Sequence, residues 1–205
     1  MESVKYFVLS LHRSGTVSTA NYLNWLGIPT RHWPTEHGGI NLEKKVVGRE
    51  TDLAYVTDVI SPVLQDFQAV ADVPIPVLYK ELLTRYPDAR FILIYRNAFD
   101  WVRSVRAHHR YAYEQAGDFE PYPRVLYWHY FDWQPRSFAA LTDAELIWMH
   151  SQHTADVLAF FSRQAPTNLG VFDLYDADIG SKIASFVGVQ TQLAFPRCNV
   201  NASSG

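Results

Sequence analysis

The sequence predicts an α/β fold of three layers, α/β/α, around a central parallel sheet. Two apolar runs and the patterns around them predict it. Residues 6–10 form a short, mostly apolar stretch that stops at the loop Leu11-His12-Arg13-Ser14-Gly15-Thr16 and passes straight into a helical pattern. Phe91-Ile92-Leu93-Ile94-Tyr95 is a stronger run of the same kind, with helical patterns before and after it. Strands covered on both faces read as unbroken apolar runs, and parallel strands need helical crossovers between them.

Each element follows from its own local signals. The first helix is expected over residues 16–26, with Ala20, Leu23 and Leu26 on one stripe and Gly27 and Pro29 ending it. Val77, Leu78, Leu82 and Leu83 make a helical face that ends before Pro87. Arg96-Asn97 closes the central run, and Trp101, Val102 and Val105 restart a helical pattern. Thr142-Asp143-Ala144-Glu145 is a capping-box pattern, with Leu141 and Leu146 placed for the hydrophobic staple around it. The helix it opens carries Leu146, Met149, Val157 and Phe160 on one face, and His150 and His153 fall on the same stripe as core histidines. Residues 169–172 read as another strand, and Asp178 is placed to cap a last helix through Ile179, Ile183 and Phe186. Residues 111–138 are crowded with Tyr, Trp, Phe and Pro and show no clean period. A single domain over residues 1–205, with 111–138 as an aromatic excursion, is the simplest organisation. The final residues, 201–205, read as a loose tail.

Composition narrows the class. The chain has 205 residues, 48% of them hydrophobic, enough for a buried core without disulfides or a structural metal. A net charge of −3 argues against a broad nucleic-acid surface but not against one anionic small molecule held by local cations. The single cysteine, Cys198, forms no internal disulfide, no Cys/His spacing suggests a metal site, and Cys198 reads as a small, partly buried hydrophobe. His12 and Arg13 interrupt the first apolar run, and no stretch approaches the roughly 18 apolar residues of a membrane helix. The expectation is a cytoplasmic protein with no membrane or nucleic-acid partner and no metal.

The loop after the first run carries chemistry. A strand that ends in a glycine-containing turn and feeds a helix aims backbone N–H groups and a partial positive charge at whatever sits above the sheet. Ser14, Thr16, Ser18 and Thr19 offer hydroxyls, and Arg13 adds a planar cation suited to phosphate or sulfate oxygens. A Walker-type loop does not fit. With its second glycine on Gly15, the first glycine falls on Ser10, the lysine on Thr16 and the magnesium-binding hydroxyl on Val17. ATP or GTP hydrolysis, and with it a nucleotide kinase, is therefore a poor reading.

A second anchor completes a pattern. Arg96 follows the strongest strand, and Ser104 lies about two helical turns on, so both can converge on one phosphate. If the two strands are neighbours, one ligand is gripped at both ends. His12-Arg13-Ser14-Gly15-Thr16 resembles the 5'-phosphosulfate loop of sulfotransferases, and Tyr95-Arg96-Asn97-Ala98-Phe99-Asp100-Trp101-Val102-Arg103-Ser104 resembles their 3'-phosphate element. The approach Tyr86-Pro87-Asp88-Ala89-Arg90-Phe91 is also typical of that family. The resemblance implies a P-loop-like sulfotransferase architecture of a compact branch. It also implies a sulfuryl group moved from 3'-phosphoadenosine 5'-phosphosulfate (PAPS) to a hydroxyl or amine of a small-molecule acceptor, leaving 3'-phosphoadenosine 5'-phosphate (PAP). Arg13, Ser14, Gly15, Thr16, Val17, Ser18, Arg96 and Ser104 become cofactor-binding candidates. Phe172-Asp173-Leu174-Tyr175-Asp176 and Phe195-Pro196-Arg197-Cys198-Asn199 resemble the family's closing segments and add Tyr175, with core packing as its rival, and Arg197. The chain departs from many members at Val17, which replaces a second threonine, and at Ser18, which replaces an adenine-stacking tryptophan of cytosolic members.

The acceptor end is less determined. Asp72-Val73-Pro74 falls where cytosolic members carry a catalytic histidine, so Asp72 is the first candidate for base or acceptor-orienting residue, beside a plain helix N-cap. An ordinary Asp titrates far below neutrality and needs desolvation to serve as a base. His32, Glu36 and His37 form a second group, with histidine better poised for neutral pH, and Arg13 would stabilise charge. His108 and His109, side by side on a helix, are expected to point in different directions, and Lys80 to be solvated. Tyr111, Tyr113, Phe119, Tyr122, Trp128, Tyr130 and Trp133 form a candidate wall or lid for an aromatic or apolar acceptor, with core and a homodimer surface as rival readings. A non-catalytic nucleotide-binding or interaction module on the same scaffold is the alternative function.

Overall fold

A computed structural model describes residues 4–109 and 118–198. Tyr111, Tyr113 and the expected tail at 201–205 lie outside the described residues. Five strands form one parallel sheet: β1 (Tyr6–Val8), β2 (Thr30–His32), β5 (Ala69–Ala71), β6 (Arg90–Tyr95) and β7 (Leu169–Asp173), in the order β2-β5-β1-β6-β7. A separate two-stranded hairpin, β3 (Glu36–His37) and β4 (Ile40–Asn41), lies between β2 and β5 in sequence. The first strand is shorter than its apolar run, and Leu9 and Ser10 stay tied to β6 beyond its end. Leu9 N–H still reaches the Ile92 carbonyl at 2.8 Å, and the Ser10 hydroxyl accepts from Ile94 N–H at 2.6 Å.

Alternation within the strands builds two cores. Phe7, Leu9, Val70, Phe91 and Leu93 face one side, and Tyr6, Val8, Ala69, Ala71, Ile92 and Ile94 face the other. Side chains along a strand point alternately to opposite faces, so a sheet covered twice needs apolar residues at every position. The second face is covered by α1 (Thr16–Trp25) and α8 (Ile179–Val187). The first and larger core takes α2 (Leu53–Val59), α3 (Ser61–Asp66), α4 (Tyr79–Arg85), α5 (Ala98–His108), α6 (Pro121–Tyr130) and α7 (Asp143–Gln164).

Local signals match these elements with a few differences. The face of Val77, Leu78, Leu82 and Leu83 is split between a 3-10 turn, Ile75–Val77, and α4. Thr142 and Glu145 form the capping box in full, and Leu141 and Leu146 are both buried. Along α7 the core receives Phe161, while Phe160 is only half-buried. Asp178 holds the N-cap position of α8, but its side chain caps nothing.

The described part of the aromatic excursion is mostly core. Phe119, Tyr122, Val125, Leu126, Tyr127 and Phe131 are buried, Trp128 and Tyr130 are half-buried, and Trp133 is exposed. Pro121 occupies the first turn of α6, where a missing N–H costs nothing. The Glu43 carboxylate accepts from Tyr122 N–H at 3.0 Å, and the Tyr122 hydroxyl donates to the Pro34 carbonyl at 3.2 Å, tying α6 to the segment after β2. With aromatic residues on every side of α6, a clean apolar stripe does not show in the sequence.

His153 illustrates how this core handles polar atoms. The Leu9 carbonyl can only accept, so His153 Nε2 carries the hydrogen of their 2.7 Å bond, and Nδ1 accepts from the Tyr130 hydroxyl at 2.8 Å. Burial holds the His153 pKa down to about 4. Burial likewise holds His12 down to about 4, with Asp72 opposing and His108 and Arg13 assisting. Both histidines take up protons more readily in the unfolded chain, where the ordinary value is 6.5. Their contribution to stability is complete above that value and is lost as pH falls toward about 4. The slope approaches about 1.4 kcal/mol per pH unit for each histidine. Urea midpoints measured from neutral pH downward should fall accordingly; a midpoint that stays flat or rises would contradict this packing.

Candidate active site

The site lies above the carboxyl ends of β1 and β6, which are direct parallel neighbours. The chain places β5 on one side of β1 and β6 on the other, so this is the switch point of the sheet. A cavity of about 820 Å³ opens there. Its floor is the β1–α1 loop. Its walls come from the segments after β5, β6 and β7, from α5 and from residues 191–198.

The β1–α1 loop is held in an unusual shape. Arg13 has φ 64 and Gly15 φ 84, so two left-handed residues turn the chain within three positions. Only glycine adopts that conformation freely, and Arg13 needs outside support. It receives it on both flanks: Trp101 Nε1 donates to the His12 carbonyl at 2.7 Å, and Arg96 donates to the Arg13 carbonyl at 2.6 Å. The Arg13 side chain donates through Nε to the Ser104 hydroxyl at 3.3 Å. The two anchors expected at opposite ends of one ligand are therefore in direct contact.

Several groups here lack partners. Gly15 caps α1 without a side-chain hydrogen bond, and the first turn contains no acid. The first intrahelical bond runs from Thr19 N–H to the Gly15 carbonyl, which leaves the N–H groups of Thr16, Val17 and Ser18 ahead of it. The buried Ser14 hydroxyl and Arg96 Nε have no hydrogen-bond partner among the described residues. Burial and the neighbouring Arg96 charge lower the Arg13 pKa, with Asp72 opposing. Two crowded guanidinium groups, an uncapped helix end and orphaned buried donors fit an anionic ligand.

The hydroxyls divide differently from the sequence expectation. Ser14 is buried and does not line the cavity, and its N–H is bonded to the Leu11 carbonyl at 3.1 Å. Thr19 turns its hydroxyl back onto the Gly15 carbonyl at 2.9 Å. Ser18 lines the cavity but accepts from Cys198 N–H at 3.0 Å. Gly15, Thr16, Val17, Arg96, Ser104, Tyr175 and Arg197 all line it too. Tyr175 is 53% exposed, which removes the core-packing rival. Cys198 also lines the cavity, half-buried, and its Sγ accepts from Asn21 at 3.4 Å.

Beside the Arg13 loop is an acid–base cluster. Asp72 is 3% exposed, with φ 74. Its Oδ1 accepts from Val73 N–H at 2.8 Å. Its Oδ2 accepts from the Thr16 hydroxyl at 2.9 Å and meets His32 Nε2 at 2.8 Å. Burial raises the Asp72 pKa, but the His32 hydrogen bond and charge, the His12 field and the Val73 N–H outweigh it and hold the carboxyl below its usual value. An ionised carboxylate only accepts, so His32 Nε2 bears the hydrogen and Nδ1 remains the basic nitrogen. Among the described residues Nδ1 makes no hydrogen bond. The sheet makes this pairing: β2 runs parallel to β5 with His32 opposite Ala71, one residue before Asp72.

Glu36 and His37 are not part of the site. They sit on the hairpin away from the cavity, where His37 pairs with Asp66 at 3.0 Å and Glu36 is exposed. His108 and His109 both line the cavity, with ring centroids 4.7 Å apart, because α5 ends at His108 and the turn brings His109 round. Sequence reasoning missed Trp33, Pro123, Phe138 and the Thr191–Leu193 stretch, all of which line the cavity, with Phe138 stacked on His109. Pro123 and Phe138 lay within the excursion without a period to single them out. Among the described residues no group of three or more His, Cys, Asp and Glu side chains stands ready to hold a metal ion, and no helix is long and apolar enough to cross a membrane.

No curated protein matches the sequence. A sulfotransferase from Alicyclobacillus acidocaldarius matches the structure with a TM-score of 0.54 at 14% identity, over 96% of this chain and 85% of that one. A shikimate kinase from Bacteroides thetaiotaomicron follows at 0.49 and 13%, over 90% of this chain and 94% of that one. At 14% identity the likeness to the sulfotransferase speaks for the fold alone. The family model for the sulfotransferase domain matches residues 5–204, nearly the whole chain, and the chain therefore belongs to the sulfotransferase family.

Proposed function

We propose that the chain transfers a sulfuryl group from PAPS to a hydroxyl or amine of a small-molecule acceptor. The observation that carries this reading is the meeting of Arg13 and Arg96 over one cavity at the β1–β6 junction. Two separate anionic ends on one nucleotide suit two cationic anchors on adjacent strands. When bound, PAPS supplies an activated sulfuryl group on its 5'-phosphate. Arg13 and the N–H groups of Thr16, Val17 and Ser18 bind that end, and Arg96 and Ser104 bind the 3'-phosphate. Tyr175 and Arg197 border the nucleoside.

The acceptor enters from the side of Trp33, Val73, His109, Pro123 and Phe138. This wall is largely apolar and aromatic, and it favours an acceptor with an apolar or aromatic body. His32 Nδ1 takes the proton of the acceptor oxygen or nitrogen as that atom bonds to sulfur and the bond from sulfur to the 5'-phosphate oxygen breaks. Asp72, saturated by three donors and nearly inaccessible, orients His32 and stabilises its charged form. Arg13 stabilises the charge on the departing phosphate oxygen.

Transfer of labelled sulfate from PAPS, assayed over phenols, alcohols, amines and sugars, should reveal a product. His32→Ala should lower kcat by about 10²- to 10⁴-fold, the usual share of a general base. Asp72→Asn should lower it less and leave donor binding intact. Binding of nucleotide with no transfer to any acceptor class would favour the non-catalytic module instead.

A further inference from the structure

Thr16 belongs to the donor loop, yet its hydroxyl is engaged with the base. It donates to Asp72 Oδ2 at 2.9 Å, and that same oxygen holds His32 Nε2 at 2.8 Å. Thr16 is also the first residue of α1, beside Gly15 on the floor of the cavity. Thr16 is 2% exposed, and its hydroxyl has one proton to give. That proton cannot serve Asp72 and an oxyanion above α1 at once. A carboxylate oxygen that loses one of its two donors binds the other more strongly.

We propose that Thr16 is a positioning residue that couples the donor to the base. An oxyanion over the N-terminus of α1 draws the Thr16 hydroxyl away from Asp72, and Asp72 then grips His32 Nε2–H harder and makes Nδ1 more basic. The idea rests on the sulfuryl-donor reading above. It gives the site an order: the base strengthens when the donor is seated. The 3.3 Å contact of the same hydroxyl with His32 Nε2 works the opposite way and is the longer of the two.

Other charges face His32 and have to be accounted for. Asp72 and Thr16 approach from the β5 and α1 sides, Arg13 from the loop, and His12, His108 and His109 line the same cavity. Burial holds His12 at about 4 and His109 at about 3, and it lowers His108 as well. Arg13 keeps its charge throughout. Titration of His32 is thus read against an uncharged His12 and His109 and a charged Arg13, with the His108 signal followed alongside.

The test is NMR titration of the full chain with labelled histidine, with His32→Asn assigning the His32 signal. PAP is the probe, and its binding is confirmed by calorimetry. In the natural chain PAP should raise the His32 pKa by at least about 0.5 unit. In Thr16→Val the free protein should already be raised, and PAP should add less than half the natural increment. Thr16→Ser should restore natural behaviour, and Thr16→Ala stands in if the valine variant does not fold. Equal increments in the natural chain and Thr16→Val, with PAP bound to both, would overturn this proposal alone. A failure of PAP to bind the natural chain would overturn the donor reading and the coupling with it.

Discussion

The site depends on one hydrogen bond, from the Arg96 guanidinium to the Arg13 carbonyl. That carbonyl belongs to a residue in a left-handed conformation that a side chain rarely adopts unaided. By holding it, Arg96 fixes the loop that opens α1 and the direction of its free N–H groups. The bond exists only because β6 lies directly beside β1, so that the two strand ends emerge together. The buried aromatic shell serves the same end: Trp101 secures the His12 carbonyl, and Tyr127 meets the His12 ring at 2.9 Å. The protein thus uses ordinary core packing to stabilise a strained, cation-rich loop.

The acid–base cluster has a different origin. Asp72 and His32 stand forty residues apart in sequence and meet because β2 and β5 are parallel and in register at their carboxyl ends. The carboxylate stays ionised in a buried place because three donors converge on it. One of those donors comes from the cation-rich loop itself. The cation-rich loop and the Asp72–His32 pair are therefore one connected network.

The fold and the positions of Arg13 and Arg96 at their strand ends are legible because they depend on local pattern. The unbroken run at 91–95, the Thr142 capping box, and Arg13 and Arg96 directly after their strands carry their roles in adjacent residues. The Asp72–His32 pair is only half legible. Asp72 and His32 were both candidates, but nothing in their spacing says that they touch, since strand order decides it. Glu36 and His37 looked equivalent to His32 and are carried away by a hairpin that gives no strong local signal. Ser14 and Thr19 offered hydroxyls in the right loop, yet burial and the backbone claim them. In the excursion, α6 was hidden because aromatic residues pack on most of its sides and leave no single stripe.

In the proposed reading one ligand is held at both phosphate ends, by Arg13 and by Arg96. The direct measurement is a calorimetric cycle comparing PAP with adenosine 5'-phosphate, in the natural chain and in Arg96→Ala. PAP should bind at least about tenfold more tightly than adenosine 5'-phosphate, as charge-assisted hydrogen bonds to the 3'-phosphate require, and Arg96→Ala should erase most of that preference. Equal affinity for the two nucleotides, or a preference that survives Arg96→Ala, would mean that Arg96 does not hold the 3'-phosphate.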